Sequence, residues 1–136
     1  MILVDTSVWI NLLRGRQTAA VSYFLNHADQ CRFGYGDAIL FEVLAGCRSA
    51  RDVTLTKKTL QAFACHHLLN PVIAERAAEN FRLLCHKGVT INKPIDLIIA
   101  TYIILNDYTL LHEDRYYDLM RVPLGLKMVD LTTDSE

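Results

Sequence analysis

The opening residues constrain this chain more than any other segment. Met1-Ile2-Leu3-Val4 is an apolar run, Asp5 ends it, and Thr6-Ser7-Val8-Trp9-Ile10-Asn11-Leu12-Leu13 follows with apolar residues at helical spacing. A short apolar run reads as a buried strand, and the change of period behind it reads as a helix. Strand followed by helix points to a parallel sheet, because parallel neighbours need a crossover connection. Asp5 then stands at the carboxyl end of a central strand, on the rim where open α/β sheets bind ligands.

The same alternation continues. Helix 1 is expected to begin at Thr6 or Ser7, either of which can cap it, and to end near Gly15. Thr18 to Asp29 reads as a second helix and Cys31 to Tyr35 as a short strand. Asp37 caps a helix with Ile39, Leu40, Val43, Leu44 and Cys47 on one stripe, and Arg51 to His66 reads as a more polar helix. Asn70-Pro71 opens a helix that stops at Gly88, and Pro94 opens a very apolar one through Asn106. Thr109 to His112 is expected as a strand, Asp114 to Met120 as a short helix and Leu126 to Leu131 as a last strand. No repeat or linker interrupts the order. It predicts an α/β fold with three α/β/α layers and a mostly parallel central sheet.

Length and composition exclude several classes. A chain of 136 residues with 51% hydrophobic content is expected to form one domain over 1–131, with 132–136 as a flexible tail. A net charge of −1 carries no global nucleic-acid signature, so any nucleic acid must be held by local charge or by metal. The N-terminus lacks a basic first region, and Leu97 to Leu105 is too short to span a bilayer. Cys31, Cys47, Cys65 and Cys85 form no CxxC pair and read as reduced, mostly packed thiols of a cytoplasmic protein. Cys65-His66-His67 with Cys85-His86 could together supply zinc ligands, although the spacing fits no common finger.

The acids carry the functional reading. Asp5 and Asp114 each follow an apolar strand, Asp96 begins a helix just after Pro94, and Glu42 lies inside an apolar helix. Each has an ordinary alternative. Asp5 and Asp114 can cap helices, Asp96 can answer the helix dipole, and Glu42 can be solvated. Ala38, Ala45 and Gly46 lie near Glu42 on its helix and leave room for a ligand or another chain. If the four converge, charges about 5 Å apart repel by roughly 3 kcal/mol at an effective dielectric of about 20. Such a cluster persists when a cation offsets the repulsion or some acids stay protonated. Oxygen donors of this kind suit Mg²⁺ or Mn²⁺.

These residues resemble the PIN-domain ribonucleases, and among them the VapC-type toxins of bacterial toxin–antitoxin pairs. The resemblance rests on Val4-Asp5-Thr6-Ser7-Val8-Trp9-Ile10, Glu42-Val43-Leu44-Ala45-Gly46, Asp96-Leu97-Ile98-Ile99-Ala100 and Leu110-Leu111-His112-Glu113-Asp114-Arg115-Tyr116, an ordered set covering nearly the whole chain. It implies a metal-dependent endoribonuclease in which Asp5, Glu42, Asp96 and Asp114 form the acidic site and Thr6 or Ser7 supports it. It also implies Mg²⁺ as cofactor, with Mn²⁺ as a substitute, an RNA substrate, a VapB-type antitoxin and a homodimer. The chain departs from the pattern at Tyr116, where relatives often have a second Asp, so that Glu113 or Asp118 could assist or replace Asp114. It also has Asn92 and Lys93 where many toxin relatives carry Arg. Arg48, Arg51, Lys57 and Lys58 could contact phosphate, or form a solvated helix face. Phe41, Val43, Leu44, Ala45 and Gly46 cannot all face one core stripe, which leaves apolar surface for an amphipathic partner.

Two other readings compete with the nuclease. An Asp after the first strand also opens haloacid-dehalogenase-type phosphatases and response receivers. The former need a second acid where Ser7 stands, and the latter an acidic pair near the first strand and a later lysine after a strand, neither of which is well placed here. A PIN-like domain without turnover, used only for binding, is the other.

Overall fold

The computed structural model describes residues 1–131. The segment 132–136, expected as a tail, lies outside the described residues. Strands β1 (Ile2–Val4), β2 (Phe33–Gly36), β3 (Ala64–His66) and β4 (Thr109–Leu111) form one sheet in the order β3-β2-β1-β4. All its pairings are parallel, with Ile2 opposite both Phe33 and Thr109, and Gly36 opposite His66. Seven helices connect and cover the strands: α1 (Thr6–Leu13), α2 (Ala19–His27), α3 (Asp37–Ala45), α4 (Ala50–Leu60), α5 (Pro71–His86), α6 (Pro94–Leu105) and α7 (Asp118–Leu124). A 3₁₀ turn, Arg115–Tyr117, precedes α7. Helix α1 packs on α2 and α3, and α5 packs on α6 and α7, giving the three-layer α/β/α arrangement.

The strand order decides where a site can be. The chain steps outward from β1 to β2 to β3 and then crosses to the opposite side of β1 for β4. The order therefore reverses between β1 and β4, and the carboxyl ends of the strands at such a switch point border a crevice. Asp5 is pinned there, because its backbone N–H donates to the Leu111 carbonyl at 2.9 Å and extends the β1–β4 ladder by one residue.

The core forms around the same strands. Leu3, Val4, Leu110 and Leu111 are completely buried, as expected for a parallel sheet covered on both faces. Trp9, on α1, is also completely buried, with its indole N–H donating to the Val4 carbonyl at 2.9 Å. Its ring meets Phe24, Tyr35 and Phe63 at centroid distances of 5.4, 6.0 and 5.2 Å. This aromatic cluster locks α1 to α2 and to the sheet, and so fixes where the first turn of α1 begins.

Several boundaries differ from those expected. Arg51 to His66 is not one helix, because α4 ends at Leu60 and Ala64–His66 forms β3. β3 is an edge strand held by backbone pairing to β2, and its largely exposed residues show no apolar alternation. The last strand, Leu126 to Leu131, reduces to one parallel bridge between Met128 and Leu110. Helix α1 is not capped by Thr6 or Ser7: Asp5 occupies the cap position, and its carboxylate makes no capping bond. Asp37 is the first residue of α3, not its cap, and its carboxylate accepts from the N–H groups of Ala38 and Leu68. The thiols of Cys65 and Cys85 are exposed, not packed.

At Gly36 the chain passes directly over Leu68, which is completely buried. A Cβ at Gly36 would lie 2.2 Å from the Leu68 Cδ1 and 2.4 Å from its Cγ. Gly36→Ala should therefore strain the junction of β2 and α3 and destabilise the fold by about 1–3 kcal/mol. Urea denaturation monitored by Trp9 fluorescence measures this, and an unchanged midpoint would show that the Leu68 side chain yields freely.

Candidate active site

Four elements bring the expected acids together. Asp5, Glu42, Asp96 and Asp114 line one cavity of about 280 Å³ with Thr6, Ser7, Ile10 and Lys93. Asp5 comes from the end of β1, Glu42 from α3, Asp96 from the first turn of α6, and Asp114 from the residue preceding the 3₁₀ turn. α2, α4 and α5 begin with side-chain caps from Thr18, Ser49 and Asn70. At α1 the cap-position carboxylate is instead turned into the cavity. Its Oδ2 accepts from the Ser7 hydroxyl at 3.1 Å and its Oδ1 from the Tyr117 hydroxyl at 2.9 Å. The Tyr117 hydroxyl also lies 3.2 Å from the Asp96 Oδ1, so its one proton is shared between the two carboxylates. Glu42 is held by the Thr6 hydroxyl, which donates to its Oε1 at 2.9 Å. Thr6 and Ser7 thus each orient a different carboxylate.

Asp114 is held in another way. Its Oδ1 accepts from the Tyr116 N–H at 3.0 Å, and its Oδ2 accepts from Lys93 Nζ at 2.9 Å. Lys93, the basic residue shortly before Asp96, thus carries its ammonium to the acids. Tyr116 has no carboxylate to offer, but its hydroxyl accepts from the backbone N–H groups of Asn92 and Lys93 and anchors that loop. Glu113 and Asp118 are absent from the cavity lining. Glu113 accepts from Asn11, and Asp118 lies 4.0 Å from His112.

Electrostatics separates the four. Asp5 and Asp96 are buried, at 6% and 8% exposure. Burial raises the pKa of Asp5, partly offset by hydrogen bonds from Tyr117 and Ser7. Burial and the neighbouring Asp5 charge push Asp96 up to about 6. Asp114 goes the other way: burial raises it, but the Tyr116 N–H and Lys93 outweigh that and hold it below the ordinary carboxylate range. The phenol brings a single proton to two carboxylates. One hydrogen bond to a charged acceptor contributes about 1.5–3 kcal/mol, comparable with the repulsion of two charges near 5 Å but not with their desolvation as well. With both acids held above the ordinary carboxylate range, the negative charge of the pair is only partly offset.

That imbalance, with hydroxyl and carboxylate oxygens beside Ile10 and the Lys93 ammonium and no Cys or His in the lining, fits a hard divalent cation. Among the described residues no group of three or more His, Cys, Asp or Glu side chains is arranged to hold a metal ion. Asp5 and Asp96 are the two carboxylates that meet at one hydroxyl, that of Tyr117, and Mg²⁺ commonly binds through one or two carboxylates with waters completing its shell. The same absence corrects the zinc expectation: Cys65, His66 and His67, on or just beyond β3, and Cys85 and His86, at the end of α5, are not assembled into such a group.

Tyr117 is the residue that sequence reasoning missed. It is completely buried, yet only its position three residues after Asp114 hinted that a 3₁₀ turn would bring it over the acids. Beside the acid cavity, and sharing Ile10 with it, a groove of about 540 Å³ opens between α1, α3 and α4. Leu13, Val43 and Leu55 supply apolar lining, and Arg14, Arg16 and Arg48, with Asp52 opposing them, supply charge. Of the basic run expected to contact phosphate, Arg48 lines this groove, whereas Arg51, Lys57 and Lys58 are exposed on α4 outside both linings.

Comparison with known proteins identifies the family and the fold. The PIN domain family model matches residues 2–122. Among solved structures, VapBC2 from Rickettsia felis bound to a DNA fragment from their promoter is similar at a TM-score of 0.75 and 17% identity, covering 96% of this chain and 100% of that one. FitAcB from Neisseria gonorrhoeae matches at 0.74 and 17% identity, covering 97% and 99%. A toxin-antitoxin complex from Klebsiella pneumoniae matches at 0.72 and 19% identity, covering 96% and 98%.

The raised pKa of Asp96 has a consequence for stability. With its ordinary value at 3.8 and its folded value at about 6, the folded state binds this proton more tightly. Stability contributed by Asp96 is therefore lost as pH rises from about 4 through about 6, the reverse of a salt-bridged carboxylate. In EDTA, Asp96→Asn should exceed the wild type in stability at pH 7.5, by on the order of 1–3 kcal/mol. The gap should close toward pH 4. Thermal melts of both proteins across this range test it, and a gap independent of pH would contradict the assigned cause.

Proposed function

The chain belongs to the PIN-domain family, and from that premise we propose that it is a divalent-metal-dependent endoribonuclease acting as the toxin of a toxin–antitoxin pair. The observation that carries this reading is the meeting of Asp5 and Asp96 at one phenol hydroxyl, in a cavity that also collects Glu42 and Asp114. Asp5 and Asp96 would hold Mg²⁺, or Mn²⁺ in its place, with Glu42 and Asp114 as further oxygen donors. When bound, the ion supplies an activated water and stabilises charge building on the phosphodiester oxygens. The protein's own part is orientation. Ser7 fixes the Asp5 carboxylate, Thr6 fixes Glu42, and Ile10 makes one wall of the cavity apolar. Lys93 can exchange its contact with Asp114 for a phosphate of the incoming RNA. Arg14, Arg16 and Arg48, in the adjoining groove, extend positive charge along a path that a strand leaving the cavity could follow.

The same groove supports a VapB-type antitoxin as partner, since the solved relatives include toxin-antitoxin complexes. Leu13 and Leu55 line it while 38% and 52% exposed, and Phe41, on the adjacent α3, is 67% exposed. An amphipathic segment could cover this apolar surface and present an Arg or Lys to the acids, blocking substrate and metal together. A homodimer is part of the same proposal. So is action in the cytoplasm, where free thiols such as these four are kept reduced. No helix among the described residues is long and apolar enough to cross a membrane.

Two measurements test the reading. Asp96→Asn should fold and cleave RNA at least about tenfold more slowly than the wild type in Mg²⁺, because it removes one charge from the proposed metal shell. Cleavage at the wild-type rate would reduce Asp96 to a helix-start residue. For the partner, the small protein encoded next to this chain should co-purify with it on co-expression and suppress cleavage. Leu55→Asp, at a side chain already half in solvent, should leave the fold intact and weaken that association by about tenfold or more. A chain that runs alone on size exclusion, and cleaves equally well with the neighbour present, would defeat the toxin assignment and leave the nuclease.

A further inference from the structure

Asp5 and Asp96 belong to different elements, the end of β1 and the first turn of α6. Among the hydrogen bonds of the described residues, the Tyr117 hydroxyl is the side-chain group that reaches both, at 2.9 Å and 3.2 Å. The two acids depend on it unequally. Asp5 keeps a second donor in Ser7, whereas among the described residues the Asp96 carboxylate is reached by Tyr117. The phenol has little freedom of its own. It is completely buried, its ring lies against His112 at a centroid distance of 5.1 Å, and its backbone N–H donates to the Asp114 carbonyl at 3.2 Å. The same turn also holds the Asp114 carboxylate through the Tyr116 N–H. One turn thus presents an acid to the cavity and, beneath it, a hydroxyl that sets the spacing of two others.

We propose that Tyr117 is a positioning residue of the proposed metal site, whose hydroxyl holds the Asp5 and Asp96 carboxylates at the spacing a single divalent cation needs. The proposal rests on the reading of this cavity as a metal-dependent nuclease site and adds a residue to it. A neutral phenol suits the task. It donates without bringing a charge that would compete with the cation, and each carboxylate oxygen it touches retains lone-pair capacity for coordination. Groups that orient metal-binding carboxylates in this way typically cost 10- to 100-fold in metal affinity when removed. The effect should run mainly through Asp96, which loses its donor, and less through Asp5, which keeps Ser7.

The test is calorimetric titration of Mn²⁺ into the metal-free full chain for the wild type, Tyr117→Phe and Tyr102→Phe. Tyr102→Phe removes a comparable hydroxyl bond, to His66 at 3.0 Å, away from the acids. Tyr117→Phe should weaken Mn²⁺ binding by about tenfold or more, while Tyr102→Phe stays within about twofold of the wild type. At saturating Mn²⁺, Tyr117→Phe should lower kcat for RNA with little change in KM. Equal Mn²⁺ affinity in Tyr117→Phe and the wild type would overturn the positioning role and leave the nuclease reading in place. A wild type that takes up no Mn²⁺ would overturn both. Should Tyr117→Phe fail to fold, a crystal structure of the Mn²⁺-loaded wild type decides the matter. A Tyr117 hydroxyl still bonded to both carboxylates supports the proposal, and one turned away from both refutes it.

Discussion

Pairing of β1 on both of its edges is the constraint from which the site follows. Ile2 and Leu3 are matched to β2 on one side and to β4 on the other, and the Asp5 N–H continues the second ladder. A strand held in this way cannot slip without moving its buried Leu3 and Val4, since a shift of one residue reverses every side chain. Asp5 is therefore fixed at the rim by the core itself. Trp9 reinforces this, because its indole bond to the Val4 carbonyl joins the first helix to the same strand. The remaining acids are then brought to Asp5 by crossovers: α3 carries Glu42, α6 carries Asp96, and the turn after β4 carries Asp114.

Stability and chemistry pull in opposite directions at this rim. Removing a carboxylate from water costs several kcal/mol even after relaxation, and placing a second beside it adds about 3 kcal/mol of repulsion. The protein answers with neutral donors: Ser7 and Tyr117 on Asp5, Tyr117 on Asp96 and Thr6 on Glu42. The one ammonium at the cavity, Lys93, is bonded to Asp114 on the more open side. The consequence is visible in the pKa directions, with the buried pair raised and Asp114 lowered. A cation bound only by the folded chain would offset the deficit and stabilise the fold as it prepares the site.

Much of the fold was legible because local signals agreed with one another. Asn70 and Pro71 at the start of α5, Pro94 at the start of α6 and the apolar runs of β1 and β4 each signal an element by a local mechanism, and each lies within a residue or so of its expected place. The failures fall where no local signal exists. Ala64–His66 is a strand only because β2 offers an unpaired edge, and Met128 pairs with Leu110 over too short a span to make one. The capping role expected of Thr6 and Ser7 was wrong for a related reason. Their hydroxyls are committed to Glu42 and Asp5, partners defined by the tertiary fold and the cavity.

By itself, the sequence determined that this chain alternates strand and helix, that its first strand is buried, and that an acid ends it. It also marked Glu42, Asp96 and Asp114 as the other acids worth following, since period, capping and apolar runs are properties of neighbouring residues. Only the tertiary structure decided that these acids share one cavity, that Glu113 and Asp118 stay outside its lining, and that Lys93 reaches in. Tyr117 lies 112 residues from Asp5 along the chain and 2.9 Å from it in the fold. No local pattern encodes such a contact. It exists because the strand order reverses between β1 and β4 and brings the turn after the last strand over the end of the first.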